Sequence, residues 1–214
     1  MAVQTLYKYR SLADWAPILD IVVNGRLYAA PFESLNDPME GRYYYFGEDV
    51  SSSLRKALHQ SKRRRNICSL SAARNNTLLW SYYAAGHTGI AFGVQIKAPS
   101  GASVQVQQVR YDSGVYIGAK EAKQAPDKLA LNVLTQKQLP WAHEREVRVF
   151  SPSAYVPVRL VEILLGCNIS QRDADLVATV ARKWHPKIKI TQVERSSLDN
   201  PDALRGDKGQ TPRA

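Results

Sequence analysis

Two glutamates and an arginine at alternate positions, Glu144, Glu146 and Arg148 in the run W-A-H-E-R-E-V-R-V-F (141–150), are the residues of this chain best suited to chemistry. If the run from His143 onward is a β-strand, alternate side chains share a face. Glu144, Glu146, Arg148 and Phe150 then lie together, about 7 Å from one to the next, opposite Val147 and Val149. Paired carboxylates can stabilise developing positive charge or move a proton, and a guanidinium beside them can fix them in place. The same pattern also fits a solvated strand face, where Glu–Arg pairs contribute only about 0–1 kcal/mol each. The choice between the two rests on what other elements bring alongside.

Those elements alternate between strand and helix periods. T-L-Y-K-Y-R-S places Leu6, Lys8 and Arg10 on one strand face and Tyr7 and Tyr9 on the other, and Ser11 leads into Leu12, Trp15, Ile18, Leu19 and Val22 at helical spacing, ended by Asn24-Gly25. Arg26 to Ala30 reads as a short strand. The stretch F-E-S-L-N-D-P-M-E-G (32–41) carries a turn signal at Asn36-Asp37-Pro38, in a loop suited either to turning the chain or to closing over a ligand through Asn36. No element is assigned to 41–46, and Ser51 to Arg65 predicts an exposed amphipathic helix. N-I-C-S-L-S-A (66–72) alternates with Cys68 and Leu70 on one face and Ser69 and Ser71 on the other, small hydroxyls that leave room for a ligand near the backbone.

Thr77 can cap a helix carrying Leu78, Leu79, Trp80, Tyr82 and Tyr83 as far as Gly86, with His87 in the connection to a buried strand over 89–96. Trp80 and Tyr82 suit either a core or a stacking platform, and His87 either a local hydrogen bond or proton transfer. A turn at 99–102, a strand over 103–111, a helix over 126–137, a strand over 158–166, a Ser170-capped helix through Lys183 and a strand over 187–193 complete the pattern. The expectation is one α+β domain over 1–195, a mostly antiparallel sheet with flanking helices, and a flexible basic tail over 196–214.

Composition narrows the setting. The chain has 214 residues, 44% of them hydrophobic, enough for one packed core. No apolar run approaches the ~18–20 residues of a membrane span and the start lacks an export signal, so a cytoplasmic protein is expected. Cys68 and Cys167 are the only two cysteines, both expected in the core, which excludes a disulfide framework or a four-cysteine zinc site. The net charge of +10 favours anionic partners, and Lys62, Arg63, Arg64 and Arg65 form a block that reads as a solvated face or as a contact for RNA or DNA. Neither the G-x-G-x-x-G nor the G-x-x-x-x-G-K-S/T phosphate loop is present.

Several blocks together, L-Y-K-Y-R, F-E-S-L-N-D-P-M-E, S-L-S, N-T-L-L-W-S-Y-Y-A-A-G-H-T-G-I-A-F-G-V, W-A-H-E-R-E-V-R and V-E-I-L-L-G, resemble the bacterial domain-of-unknown-function family 2971 in type and order over about residues 6–190. That resemblance implies relatives and no activity. The succession of Arg10, Ser69-x-Ser71 and Glu144-x-Glu146 is similar to the arginine, serine and glutamate signature of ADP-ribosyltransferases. It departs from that signature in having Ser-Leu-Ser where Ser-Thr-Ser is common and in lacking the usual glycine after the key first-strand residue. The resemblance implies an NAD-binding cleft in a split, mostly antiparallel sheet. Glu146 would hold a ribose hydroxyl beside the breaking nicotinamide bond, and Glu144 would orient or deprotonate the acceptor. Arg10 would contact the pyrophosphate, Ser69 and Ser71 would shape the pocket, and Trp80 or Tyr82 would stack on a ring. The acceptor would be nucleic acid or protein, in the setting of a toxin or a phage-defence effector. Two other readings remain open. One is a nucleic-acid-binding module without catalysis, and the other is a metal-dependent nuclease or nucleotide hydrolase with Glu144, Glu146 and Asp37 as an incomplete oxygen site.

Overall fold

Strand β1 (Leu6–Arg10) opens the fold as its alternation predicts, and Leu6 and Tyr7 bury opposite faces into different clusters. The computed structural model describes residues 4–37, 39–45, 50–97 and 104–197. Pro38, Phe46, the turn expected at 99–102 and the tail from 198 onward lie outside them.

After β1 come α1 (Ala16–Val22), β2 (Arg26–Tyr28), β3 (Ala30–Pro31), β4 (Tyr44–Tyr45) and α2 (Ser52–Arg63). The middle of the chain forms β5 (Asn66–Ser71), α3 (Thr77–Tyr83), β6 (Ile90–Ile96), β7 (Gln105–Gln108), β8 (Arg110–Asp112) and β9 (Tyr116–Ile117). It ends with α4 (Pro126–Leu134), β10 (Gln136–Gln138), β11 (Glu146–Ser151), β12 (Tyr155–Leu165), α5 (Gln171–Trp184) and β13 (Lys189–Gln192). The central sheet runs β13-β12-β6-β1-β5-β11-β7, with β2 added to β12 and β3 to β5. Every pairing in it is antiparallel except β12 with β13, so the expected α+β class holds.

Helices cover both faces. On one, Ile18, Ile21 and Val22 of α1 and Val177 and Ala181 of α5 pack on Leu6, Cys68, Leu70, Phe92, Val147 and Val149. On the other, Leu79 and Trp80 of α3 pack on Tyr7, Tyr9, Ala91 and Leu164, while Leu134 of α4 meets Ile67 and Phe150. Burial of such side chains contributes about 1.5–3 kcal/mol each and holds the sheet between its two layers.

Local sequence explains most boundaries. Ser51 and Ser170 each accept a hydrogen bond from the backbone N–H three residues on, as N-caps do. Asn76, and not Thr77, caps α3 by accepting from the Leu79 N–H. The first helix begins at Ala16 rather than Leu12, because Ser11 and Asp14 close turns onto Ala13 and Ala16 and Pro17 fits only the first helical turn. The strand expected over 103–111 breaks at Val109, whose flanks pair with different partners, β7 with β11 and β8 with β10. Helix α4 stops at Leu134, three residues short of the expected end, which places Lys137 on β10. Cys68 is buried, whereas Cys167 is half-exposed and so is not a core residue as expected.

The largest departure concerns the glutamates. Leu139–Glu144 is a 3-10 helix, not the start of the strand, and Arg145 that follows has left-handed angles, φ 45° and ψ 47°. For a residue with a Cβ this conformation costs roughly 1–2 kcal/mol. It turns the chain so that β11 begins only at Glu146, which means Glu144 and Glu146 do not share a strand face by alternation.

Candidate functional site

The strands β1 and β5 are neighbours in the sheet yet register at a single pair, Tyr7 with Ser71. Beyond it β1 follows β6, pairing as far as Arg10 with Ile90, while the far end of β5 is taken by Ala30 and Pro31 of β3. The sheet is therefore open between Lys8–Arg10 and Ser69. A cavity of about 250 Å³ lies at this opening, lined by Arg10, Ser69, Ser71, Glu144 and Glu146 among others. By register Tyr7, Ser69, Ser71 and Glu146 belong to one face of the sheet, and Lys8 and Arg10 to the other. They meet only because the sheet is open there.

A buried cluster of five charges forms the floor. Arg148, fully buried, donates from Nε and one terminal nitrogen to the two oxygens of Glu146 at 2.8 and 3.1 Å, a two-pronged grip. Its other bonds go to Glu40 at 2.5 Å and to the Leu134 carbonyl at 2.7 Å. Lys137 Nζ lies 2.7 Å from Glu144, 3.5 Å from Glu40 and 3.6 Å from Glu146, and sits over the Trp141 ring at 4.5 Å. Tyr83 donates to the second Glu144 oxygen at 2.6 Å. Arg148 thus takes the role expected for it, fixing Glu146.

Burial raises the carboxyl pKa of Glu146, but the opposing Arg148 charge and its hydrogen bonds, with Lys137 and Ser69, hold it below the usual carboxylate range. Glu146 is therefore ionised at neutral pH. Glu40 goes the other way, because burial outweighs its single bond to Arg148. Burial and the adjacent Glu144 push the Tyr83 phenol far above its ordinary value. Tyr111, whose hydroxyl accepts from the Glu146 N–H at 2.7 Å, is pushed up to about 12 by burial.

On the opposite wall the charges are less satisfied. Lys8 Nζ donates across the opening to the Ser69 carbonyl at 2.7 Å, replacing a ladder bond that β1 does not make. Arg10 forms no ion pair among the described residues, and its Nε is buried without an acceptor. Burial lowers the pKa of both. The mouth is formed by exposed residues, Tyr28, Ser34 and Asn36.

Of the residues expected at a site, Arg10, Ser69, Ser71, Glu144, Glu146 and Asn36 line this one cavity. The Ser71 hydroxyl is already engaged, donating to the Glu144 carbonyl at 2.6 Å and accepting from Ala73 N–H, so it fixes the end of the 3-10 turn. Trp80, Tyr82 and His87 do not line it. Trp80 is fully buried, with its N–H on Asn75 and its ring against Tyr9, and is a core residue. Tyr82 points to solvent at 62% exposure, one position before the lining Tyr83 on α3. His87 stacks on Trp80 in a left-handed connection, φ 69°, and its carbonyl accepts from Asn168 N–H.

The basic block is likewise engaged. Lys62 is buried, donates to the Gly41 carbonyl at 2.9 Å and lies over Phe32, so it is no surface cation. Arg63 pairs with Glu33, and Arg64 and Arg65 with Asp127. Asp37 caps its own turn by accepting from the Met39 N–H, while its carbonyl accepts from Glu40, the bond that delivers Glu40 to Arg148. Among the described residues no three His, Cys, Asp or Glu side chains are placed to hold a metal ion, and no helix is long and apolar enough to cross a membrane.

Sequence reasoning missed Lys8, Glu40, Tyr83 and Lys137 as site residues. Lys8 had a signal, its place two residues before Arg10 on the same strand face. Glu40 had one in the N-D-P-M-E turn; Lys137 had none, because its periodicity read as helix. Against protein-family models, curated proteins and solved structures, the chain finds no match.

Proposed function

We propose that this chain is an ADP-ribosyltransferase-like enzyme that binds NAD at the opening between β1 and β5. The observation that carries the reading is the convergence of Arg10, Ser69, Glu144 and Glu146 on one cavity from four different elements, two of them from opposite faces of the sheet. It is also what the ADP-ribosyltransferase resemblance implies, and the relation to family 2971 is part of the same proposal.

NAD supplies a nicotinamide–ribose bond whose cleavage develops positive charge on the ribose. Glu146, held ionised by Arg148, stabilises that charge, as a carboxylate does in glycoside hydrolysis. Its oxygens keep free lone pairs beside the Arg148 bonds, enough to accept from a ribose hydroxyl. Arg10 brings an unmatched guanidinium to the pyrophosphate. Glu144, carried by Tyr83 and Lys137, orients the acceptor. With Trp80 in the core and Tyr82 turned away, Tyr28 at the mouth offers the accessible ring. A cavity of about 250 Å³ is smaller than the ~300–1,000 Å³ of sites that enclose a drug-sized ligand, so one half of the dinucleotide enters and the other lies along the mouth. The net charge of +10 favours a nucleic-acid acceptor, and an effector role follows the resemblance.

The two other readings have less support. The Lys62–Arg65 block is engaged in ion pairs and burial, and Asp37 is spent on its own turn. The test is nicotinamide release from NAD, or transfer of label to RNA, DNA or protein, in the presence of a chelator. Glu146→Gln with an unchanged circular-dichroism spectrum is expected to lose about 10²–10³-fold in turnover. Full turnover in that variant, or dependence on a divalent metal, refutes the assignment.

A further inference from the structure

The open seam has two cationic residues on its β1 wall, and only one has a partner. Lys8 and Arg10 are both half-buried and both line the cavity, and neither lies within ion-pair distance of a carboxylate among the described residues. Lys8 uses one of its three donors, on the Ser69 carbonyl, and Arg10 Nε has no acceptor. The floor across the cavity has the opposite character, three carboxylates shared between Lys137 and Arg148. A bound molecule must therefore place its anionic end against β1 and its hydroxyls toward the glutamates.

We propose that Lys8 is a ligand for the phosphate group of the bound molecule. This rests on the reading of the cavity as a nucleotide site and extends it to a residue outside the arginine, serine and glutamate pattern. Two of the ammonium's hydrogens are free for phosphate oxygens, and Arg10 adds a second contact from the same wall.

The surroundings of the amine leave it short of negative charge. Burial lowers the Lys8 pKa. Around it stand the Cys68 thiol and the Ser69 carbonyl on β5, Arg10 on its own strand, Glu146 on β11 and Glu144 at the end of the 3-10 turn. Burial keeps Cys68 a neutral thiol, Arg10 lowers the Lys8 pKa further, and the two glutamates, already matched by Lys137 and Arg148, raise it only in part. A phosphate beside the amine favours its charged form, as an opposite charge does, and offsets the cost of its burial.

Isothermal calorimetry with ADP, with pyrophosphate and with adenosine tests this without any turnover. The wild type is expected to bind ADP and pyrophosphate, and to bind adenosine at least about tenfold more weakly than ADP. Lys8→Met, checked by thermal melt, is expected to bind ADP and pyrophosphate about ten- to a hundredfold more weakly while its adenosine affinity is unchanged. Lys8→Arg is expected to keep most of the affinity, which ties the effect to the charge. Absence of ADP and pyrophosphate binding by the wild type, or equal affinity for them in Lys8→Met, overturns the proposal. Lys8-dependent ADP binding without nicotinamide release would leave Lys8 in place and remove the transferase reading, whereas nicotinamide release with ADP affinity unchanged in Lys8→Met would do the reverse.

Discussion

Replacing Arg148 by Met is the sharpest test of the buried cluster. The substitution keeps an unbranched, flexible stem and removes two bonds to Glu146, one to Glu40 and one to the Leu134 carbonyl, all in a fully buried position. Breaking one partner out of a buried charge cluster costs about 3–5 kcal/mol. Lys137, at 3.5 Å from Glu40 and 3.6 Å from Glu146, remains to offset part of this, so the lower end is expected. For a domain of this size each kcal/mol moves Tm by about 2–4 °C, giving a fall of roughly 6–12 °C near the lower bound. The pH dependence distinguishes a charge effect from a packing effect. In the wild type the folded pKa of Glu146 lies below its unfolded value, so its contribution is present above ~4.3 and lost as pH falls through the folded pKa. Removing Arg148 takes away the main influence that lowers both Glu146 and Glu40 while their burial stays, so both shift upward and their ionisation destabilises the variant as pH rises. Acidification protonates them and relieves it. Thermal melts of the two proteins at about pH 7.5 and about pH 5 should therefore show a deficit that narrows in acid. A loss under about 1 kcal/mol at neutral pH, or a deficit that does not change with pH, refutes the reasoning.

Two further substitutions address what holds the site in place. A Cβ at Gly89 would stand 2.2 Å from the Arg10 carbonyl and 3.0 Å from the Ala84 backbone, so Gly89→Ala should cost about 1–3 kcal/mol in urea unfolding and, by moving the end of β1, weaken ADP binding as well. Lys62→Ala should lose about 1–3 kcal/mol because it strips the Gly41 carbonyl of a buried donor. Arg63→Ala, from an exposed pair, should stay within about 0.5 kcal/mol of wild type. Equal losses for the two would mean that the basic block behaves as one solvated surface.

Much of this protein was legible in the chain itself. Alternation in β1 and β5 sets which side chains share a face, because the period of two is a property of the extended backbone, and Ser51 and Ser170 announce their helices by their own capping chemistry. The arginine, the two serines and the glutamates could be named in order, since residue type and strand position are local facts. Strand alternation also led the reading astray at Glu144, where a 3-10 turn and a left-handed Arg145, stabilised by contacts distant in sequence such as Ser71 on the Glu144 carbonyl, replace the extended chain. Lys137 was hidden for a related reason. Its pairing with Tyr111 on β8, and not its own neighbours, decides that it leaves the helix and enters the cluster. Above all, alternation assigns Arg10 and Glu146 to opposite faces of one sheet. Only the tertiary structure brings them together, because β1 stays with β6 and leaves β5 after a single pair, and the backbone bonds missing from that seam make room for a cavity that both faces can reach.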